Sequence, residues 1–296
     1  MAGGTLYLVA TPIGNLGDVT FRAIDVLRAV PLIAAEDTRV TRRLLTRYEI
    51  KTRTTSYHAQ SAPGRTAALL THLRGGADLA LVTDAGTPAV SDPGMELAAA
   101  WAAEGGRVEA IPGPSAVLAA IATSGIAGPR WAFEGFLPRS GRDRRERLAR
   151  LAADERGAVI FEAPGRLGAT LRDLVAACGP ERPGAICREL TKLHEQVVRG
   201  TLSDLAAAVA DESVPARGEA VIVVGWSQGA APARGAAAGG RGSADEASAL
   251  AEVEALVAGG MGRSEAARHV AAATGIPRRR LYLPPDLTPA RDASEG

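Results

Sequence analysis

Short apolar segments that end in clusters of polar residues recur along most of this chain. One runs from residue 77 to 82 and breaks at Thr83 into a loop of Gly, Pro, Asp and Ser. Similar breaks follow the apolar segments at 6–10, 31–35, 108–111, 131–133, 158–161 and 185–187. In an open parallel α/β sheet, ligands bind beyond the carboxyl ends of the strands, where backbone groups leave regular pairing. The repetition therefore predicts loops that converge at one sheet edge and form a cleft.

Helical patterns separate these segments, and the alternation extends from residue 1 to 226. Apolar spacing at 20–29, 66–73 and 94–104 predicts helices that connect successive strands. Strands that alternate with helices are typical of α/β units with largely parallel sheets. At 296 residues and 46% hydrophobic content, the chain is long enough for about two such domains.

The composition changes at Ser227, where a stretch rich in Ala, Gly and Arg begins that cannot form a core. We interpret 227–245 as a flexible linker. Beyond it, 247–258 has apolar side chains on one helical face, and Ser264 is placed to cap a second helix. A short basic piece opens at Pro277. These signals predict a small α-helical, helix-turn-helix-like tail over 246–285.

Charge and residue usage narrow the possible functions. A formal net charge of +1 neither demands nor forbids a polyanionic partner, so a nucleic-acid surface must come from local clustering. The two cysteines and four histidines show no spacing typical of a metal site or of a disulfide framework, which predicts no metal. No signal peptide and no apolar run of about 18 residues is present, which predicts a cytoplasmic protein without a membrane anchor.

The strand-end segments, taken in order, resemble the tetrapyrrole-methylase superfamily of S-adenosylmethionine-dependent enzymes. The matching segments are Leu-Tyr-Leu-Val-Ala-Thr-Pro-Ile-Gly-Asn-Leu-Gly-Asp (6–18), Ile-Ala-Ala-Glu-Asp-Thr-Arg (33–39), Val-Thr-Asp-Ala-Gly-Thr-Pro (82–88), Ser-Asp-Pro-Gly (91–94), Pro-Gly-Pro-Ser-Ala (112–116), Phe-Glu-Gly-Phe-Leu-Pro-Arg (133–139), Cys-Arg-Glu-Leu-Thr-Lys-Leu-His-Glu (187–195) and Gly-Glu-Ala-Val-Ile-Val-Val (218–224). The likeness is closest to the ribosomal branch, which methylates the 2′-hydroxyl of a cytidine in 16S rRNA. It covers roughly residues 4–226, and the tail resembles the C-terminal extension of that branch.

The resemblance implies a two-domain α/β fold like that of the tetrapyrrole methylases, with S-adenosylmethionine in the cleft between domains at 1–114 and 115–226. It also implies a homodimer that acts on 16S rRNA of the small ribosomal subunit. No Gly-x-Gly-x-x-Gly follows the first strand, which disfavours a standard Rossmann methyltransferase. Matching positions assign cofactor contacts to Pro12, Ile13, Asp84, Gly86, Thr87, Val90, Ser115, Ala116, Phe161 and Leu190.

Two alternatives stay open beside RNA methylation. The first keeps the fold and the cofactor but methylates a tetrapyrrole or a protein side chain. The second is a binding module that senses a nucleotide or joins ribosomal particles without turnover. The sequence also departs from the ribosomal branch at 161–166, where Phe-Glu-Ala-Pro-Gly-Arg stands in place of the common Tyr-Glu-Ser-Pro-His-Arg. A mechanism that needs that tyrosine or histidine is therefore not expected here.

The implied chemistry is an in-line attack of a ribose 2′-hydroxyl on a sulfonium methyl group. Alignment supplies most of the rate, and a nearby carboxylate adds general-base help of about 10²- to 10⁴-fold. Candidate catalytic residues are Glu36, Asp37, Glu162, Glu189 and Lys192. For Glu36 and Asp37, the alternative is a helix cap beside Thr38. For Glu189 and Lys192, the alternative is an internal ion pair.

Arginines are concentrated in two stretches. Residues 139–150 carry six arginines against Asp143 and Glu146, and a second basic patch lies at 39–47. Contacts between Arg and phosphate give affinity without reading the base sequence. The predicted RNA contacts are Arg39, Arg42, Arg43, Arg139, Arg142, Arg144, Arg145 and Arg166. The alternative is a solvated helix face whose i, i+4 charge pairs aid solubility.

Overall fold

The computed structural model describes residues 3–58, 63–227 and 242–274, together with Ile276 and Leu281. The chain divides into two compact units, Met1–Ala231 and Pro232–Gly296. The first unit contains two five-stranded sheets, and helices cover their faces. Within the described residues, no helix is both long enough and apolar enough to cross a bilayer.

The first sheet is parallel throughout. Its strands pair in the order β3-β2-β4-β1-β5. Their bounds are β1 (Leu6–Val9), β2 (Leu32–Ala35), β3 (Thr54–Ser56), β4 (Leu79–Val82) and β5 (Val108–Ile111). All five carboxyl ends therefore lie at one edge, as the sequence predicts.

Helices connect these strands and bury one face each against the sheet. They are α1 (Phe21–Ala29), α2 (Thr38–Arg47), α3 (Pro63–Arg74) and α4 (Met95–Ala103). The Thr20 side chain caps α1 by accepting from the backbone N–H of Ala23. Buried Ala23, Ile24 and Leu27 then share a core cluster with Ile33 of β2. The predicted helices at 20–29, 66–73 and 94–104 are confirmed to within a few residues at their ends.

The second sheet is mixed, and the prediction of largely parallel sheets is wrong for it. Its strands are β6 (Trp131–Phe136), β7 (Gly157–Glu162), β8 (Pro183–Arg188), β9 (Gln196–Thr201) and β10 (Ala220–Val224), in the order β6-β7-β10-β8-β9. Only β6 and β7 pair in parallel, because β10 enters between β7 and β8 from the opposite direction. The loop at 189–195 is too short for a crossover, so β9 returns antiparallel to β8.

The direction of β10 brings its amino end to the edge where β7 and β8 finish. Ala220, the first residue of β10, pairs with Glu162 on one side and with Arg188 on the other. The helices of this part are α5 (Ala116–Ser124), α6 (Gly141–Ala153), α7 (Leu167–Cys178) and α8 (Leu202–Ala210). Leucines of α6, α7 and α8 cover one face of the sheet, and α5 covers the other.

The loop after β1 joins the two sheets. Ile13 of this loop packs in one cluster with Val117 of α5, Leu190 and Val221 of β10. Gly14 lies so close to the loop after β8 that an added Cβ would sit 2.5 Å from Cγ of Lys192. The strand ends of both sheets therefore face a common space.

The second unit has its own small core. It contains α9 (Gly242–Ala258) and α10 (Arg263–Thr274), whose buried residues include Val253, Ala267 and Val270. The two predicted tail helices are thus present, although α10 begins one residue before Ser264. Of the predicted linker, 228–241 lies outside the described residues, and 242–245 belongs to α9. Most of the basic piece after Pro277 also lies outside them.

Candidate active site

A cavity of about 350 Å³ opens between the two sheets and is called the first cavity below. Loops after β1, β4 and β5 form one side of it, and the ends of β6, β7 and β8 with the start of β10 form the other. Its volume lies in the range of small-molecule sites, about 300–1,000 Å³. Its walls are formed by Ile13, Ala85, Gly86, Thr87, Val90, Ser91, Asp92, Ser115, Ala116, Val117, Phe136, Phe161, Glu162, Ala163, Pro164, Cys187, Leu190, Glu219, Ala220 and Val221.

Most residues that the sequence assigns to the cofactor meet in this cavity. Eight of the ten line it: Ile13, Gly86, Thr87, Val90, Ser115, Ala116, Phe161 and Leu190. The other two, Pro12 and Asp84, line a second cavity that shares Ile13, Ala85 and Glu219 with the first. The structure thus brings the ten positions together from both sheets, while their contacts with a cofactor stay a prediction.

The loop after β4 is fixed by backbone bonds to the loop after β1. Thr11 N donates to Gly86 O at 2.8 Å, and Gly86 N donates to Thr11 O at 3.1 Å. Gly86 has a φ of +91°, and Ala89 and Ser91 also adopt positive φ values of 69° and 64°. Non-glycine residues rarely take this conformation, and it clusters at functional sites. The loop is therefore held in a strained shape against the cavity.

The first turn of α5 forms another part of the wall. Ser115 is the cap of α5, and its hydroxyl accepts from Leu118 N at 3.5 Å. Ser115, Ala116 and Val117 all line the first cavity. The backbone N–H groups of a helix start carry partial positive charge, so this wall is suited to a carboxylate or another anionic group.

The ionisable side chains of the first cavity are acidic. They are Asp92, Glu162 and Glu219, beside the thiol of Cys187, whose pKa is raised by burial, and no Lys or Arg is among the described residues that line it. Burial and, to a smaller extent, the negative charge of Glu36 together raise the pKa of Asp92 to about 7. Glu162 is fully buried, and its oxygens accept from Thr170 Oγ1 at 2.5 Å and Ala163 N at 2.9 Å.

Acidic residues also meet behind the loop after β4. Asp84 N donates to Glu36 Oε2 at 3.2 Å, and Asp37 N donates to Asp84 Oδ1 at 3.0 Å. Burial raises the pKa of Glu36 and that of Asp84. Together with Asp92 they form a negatively charged group at the carboxyl ends of β2 and β4. Within the described part of the chain, no cluster of three or more potential ligand side chains is arranged to hold a metal ion.

Two of the five predicted catalytic residues lie at or next to the cavities, and the other three cap a helix or form ion pairs. Glu162 lines the first cavity, and Glu36 bonds to Asp84 of the second. Asp37 is the cap of α2, where it accepts from Arg39 N at 2.8 Å, and the Arg39 guanidinium lowers its pKa to about 2. This is the helix-cap alternative that the sequence leaves open.

The second alternative, an internal ion pair, also forms. Lys192 Nζ lies 2.9 Å from Glu189 Oε1 and 3.0 Å from Glu219 Oε2. Glu219 N completes the group by donating to Glu189 Oε1 at 2.8 Å. Lys192 holds the pKa of Glu189 below its usual range. These residues brace the loop after β8 and the start of β10 beside the first cavity.

The predicted RNA-contact arginines do not all reach the surface. Exposed positions are Arg39, Arg42, Arg43, Arg139, Arg142 and Arg145. The structure corrects the prediction for Arg144, whose side chain is 9% exposed and bonds to Asp173, Thr170 and the Pro138 carbonyl. Arg166 is half-buried and donates to the Leu137 carbonyl at 2.9 Å, so it supports the loop after β6.

Two lining carboxylates have no place among the catalytic residues predicted from sequence. Asp92 lies in a Ser-Asp-Pro-Gly segment that reads as a turn, and Glu219 precedes a strand. The signal that could have found Asp92 is its place in the loop that begins at Asp84. Glu219 needs the direction of β10, which the sequence does not reveal.

Comparison with known proteins identifies the family of the chain. The family of Tetrapyrrole (Corrin/Porphyrin) Methylases matches residues 5–206. The chain belongs to this family. Within the family it belongs with the proteins named ribosomal RNA small subunit methyltransferase I. The relative from Synechocystis sp. is 48% identical over 279 residues, which cover 94% of this chain and 96% of the relative. The relative from Mycobacterium tuberculosis is 43% identical over 285 residues, covering 95% and 94%.

Solved structures of other tetrapyrrole methylases share the fold. Cobalt precorrin-4 methyltransferase, a cobalamin biosynthetic enzyme, has a TM-score of 0.59 at 21% identity and covers 75% of this chain and 95% of its own. Uroporphyrin-III C-methyltransferase from Thermus thermophilus, solved with S-adenosylhomocysteine, has a TM-score of 0.54 at 22% identity and covers 75% and 97%. Identities this low show the fold alone. The predicted tetrapyrrole-methylase-like fold is confirmed.

Proposed function

We propose that this methyltransferase transfers a methyl group from S-adenosylmethionine to the 2′-hydroxyl of a cytidine ribose in 16S rRNA of the small ribosomal subunit. One observation carries the proposal. Eight residues assigned to the cofactor from sequence line a single cavity between the two sheets. The close relatives named ribosomal RNA small subunit methyltransferase I support the RNA substrate.

The first cavity fits the proposed cofactor. When bound, S-adenosylmethionine supplies a methyl group activated by a positively charged sulfur. Three carboxylates line the cavity, and two of them are ion-paired, Glu162 with Arg166 and Glu219 with Lys192. Asp92 is the lining carboxylate without an ion-pair partner among the described residues, and its ionised form favours the positively charged sulfur. Phe136 and Phe161 provide an apolar surface for a flat base, and the first turn of α5 suits a carboxylate.

Asp92 is the carboxylate that we assign as general base. A base works best when its pKa lies near the working pH, and burial raises the pKa of Asp92 to about 7. Glu162 is engaged with Thr170 and Ala163, and Glu189 is engaged with Lys192, so we assign positioning roles to them. Asp37 has the same kind of role as the cap of α2, and Glu36 holds Asp84 in place.

The exposed arginines are proposed to bind the RNA backbone. Arg42, Arg43, Arg139 and Arg145 are exposed, while Arg39 and Arg142 share their charge with Asp37 and Glu146. Only a few of these arginines are outside ion pairs among the described residues. So small a number suits recognition of a structured ribosomal surface more than tight binding to free RNA.

We further propose that the enzyme acts as a homodimer in the cytoplasm. The family resemblance supports the dimer. Large apolar side chains on the surface of the first unit are available for it: Phe21, Met95, Leu118, Phe136 and Leu193.

Methyl transfer to isolated small subunits tests the function. The full chain is incubated with isotope-labelled S-adenosylmethionine and small subunits from cells that lack this enzyme, and the rRNA is then mapped by mass spectrometry. We expect one new methyl group on one cytidine ribose. An unchanged rRNA map, with label entering a tetrapyrrole or a ribosomal protein instead, would show that the RNA assignment is wrong.

A further inference from the structure

A second cavity of about 400 Å³ adjoins the first and lies on the side of α2. The two cavities share Ile13, Ala85 and Glu219. Its remaining walls come from the loop after β1, from α2 and from the end of β4: Thr11, Pro12, Gly14, Leu16, Val40, Thr41, Arg43, Leu44, Thr83 and Asp84. Pro12 and Asp84, two of the ten predicted cofactor positions, also line this cavity, so a cofactor would occupy its edge and would leave the side formed by α2 to a second ligand.

Thr41 places an unpaired hydroxyl at the wall of the second cavity. The residue is only 4% exposed, and its Oγ1 is buried with no hydrogen-bond partner among the described residues. Helical threonine hydroxyls usually bond to the carbonyl four residues earlier. Here the Asp37 carbonyl accepts from Thr41 N at 3.0 Å but not from the hydroxyl. A buried polar atom without a partner is unfavourable, so a polar group that enters the cavity would stabilise it.

Arg43 adds a positive charge to the same wall. It is exposed and has no ion-pair partner in the part of the chain that the structure describes. Leu16, Val40 and Leu44 give the cavity apolar sides next to this charge. The same cavity is lined by Asp84, whose pKa is raised by burial, and by Glu219, which is paired with Lys192. Arg43 on α2 is therefore the group that suits an anion, and the apolar sides suit a flat group with polar edges.

We propose that the second cavity binds the target nucleotide, with its base extruded from the RNA strand. This inference rests on the proposed function, and it adds the residues that select the substrate. The Thr41 hydroxyl pairs with a polar edge of the base, and the Arg43 guanidinium pairs with the phosphate. Enzymes that modify a single nucleotide commonly extrude it from its stack into a fitted pocket. The ribose then lies near Ile13, Ala85 and Glu219, where the two cavities meet.

The binding of cytidine 5′-monophosphate tests this proposal. The full chain is saturated with S-adenosylhomocysteine and titrated with the nucleotide in a calorimeter. The variants are Thr41→Val and Arg43→Gln, and the matched control is Lys51→Gln, which removes an equal charge at an exposed residue outside both cavities. We expect Thr41→Val to weaken nucleotide binding about 5-fold and Arg43→Gln about 10-fold. Lys51→Gln is expected to change it less than about 2-fold.

A second measurement covers nucleotide binding that is too weak for calorimetry. KM for small subunits that lack the methyl group is expected to rise in Thr41→Val and Arg43→Gln, while the affinity for S-adenosylhomocysteine stays at the wild-type value and the midpoint of thermal unfolding does not fall. Equal effects of Lys51→Gln and Arg43→Gln, or wild-type behaviour of Thr41→Val in both assays, would overturn the proposal. Weaker binding of S-adenosylhomocysteine to Thr41→Val would assign the cavity to the cofactor instead.

These outcomes distinguish the proposed role of the second cavity from the proposed function. If Thr41→Val and Arg43→Gln leave methyl transfer to rRNA unchanged, the function is supported and the role of the second cavity is wrong. If nucleotide binding depends on Thr41 and Arg43 but no methyl group is transferred to rRNA, the role of the second cavity is supported and the function is wrong.

Discussion

Asp92 combines partial burial with two acidic neighbours, Glu36 and Asp84. Its pKa of about 7 means that the folded protein holds a proton that the unfolded chain releases near pH 4. The folded state therefore binds more protons than the unfolded state between about pH 4 and pH 7. Over that window, this group makes the free energy of unfolding fall as the pH rises, and above it the effect is constant.

Replacement of Asp92 by asparagine is expected to remove this decrease in the free energy of unfolding with rising pH. Between pH 5 and pH 8 the wild type should lose about 1–3 kcal/mol more stability than Asp92→Asn, since one pKa unit equals about 1.4 kcal/mol and solvent screens part of it. Urea unfolding at both pH values measures the difference. The control is Asp25→Asn, which removes an exposed carboxylate of α1 and should follow the wild type. Parallel curves for wild type and Asp92→Asn would contradict the raised pKa.

Gly86 and Gly105 test what the loop after β4 contributes to the first cavity. Both have a positive φ, +91° and +75°, but an added Cβ at Gly86 would lie 3.7 Å from Ile13 Cγ2, whereas at Gly105 it would meet open space. Alanine at either position should lower stability by about 1–2 kcal/mol, because the backbone is left-handed there. Only Gly86→Ala should also weaken S-adenosylhomocysteine binding, by about 10-fold. Equal affinities of the two variants, measured by calorimetry, would separate this loop from the cofactor.

At the scale of elements, strands that contain an apolar run can be predicted from the sequence, and strands without one cannot. β4 is Leu-Ala-Leu-Val and buried throughout, so its apolar run predicts it. β3 is Thr-Thr-Ser and β9 is half-buried, so neither has an apolar run to detect. The direction of β10 depends on the path of the chain in space, and that direction brings Glu219 to the cavity. The residues around the first cavity were largely predictable, because the strands that position them are the apolar ones.

Helix α6 shows that neighbouring arginines can have opposite roles. Arg144 is buried, and its guanidinium donates to Asp173 Oδ2 at 2.8 Å and Thr170 Oγ1 at 2.9 Å, whereas Arg145 is exposed. The sequence predicts an RNA contact for both, because both are arginines and their charge does not show which face of the helix packs against the sheet.

The two arginines of α6 therefore give a matched pair of variants. Arg144→Gln should lower the free energy of unfolding by about 1–3 kcal/mol, because it removes a buried guanidinium that bonds to Thr170, to the Pro138 carbonyl and to the half-exposed Asp173. Arg145→Gln should leave stability within about 0.5 kcal/mol and weaken small-subunit binding at low salt. Denaturant unfolding and subunit binding at two salt concentrations measure both. A stable Arg144→Gln protein with impaired RNA binding would restore the original prediction for Arg144.

At the scale of the whole molecule, each compact unit has buried apolar clusters of its own among the described residues, four in the first unit and one in the second. Both cavities are lined by residues between Thr11 and Val221, all inside the first compact unit. The core of the second unit is formed by residues from Ala249 to Leu281. Each unit has its own buried apolar cluster, which is the usual requirement for independent folding.

A chain that ends at Ala231 should therefore fold and bind S-adenosylhomocysteine with an affinity within about 2-fold of the full chain, because no residue of either cavity is removed. Calorimetry gives the affinity, and thermal unfolding shows whether the shortened chain is folded. Its KM for small subunits then measures what the tail adds: an unchanged KM assigns the tail no part in RNA binding, and a raised KM assigns it one. Loss of S-adenosylhomocysteine binding in a folded, shortened chain would show that the site depends on the second unit, contrary to this division of the molecule.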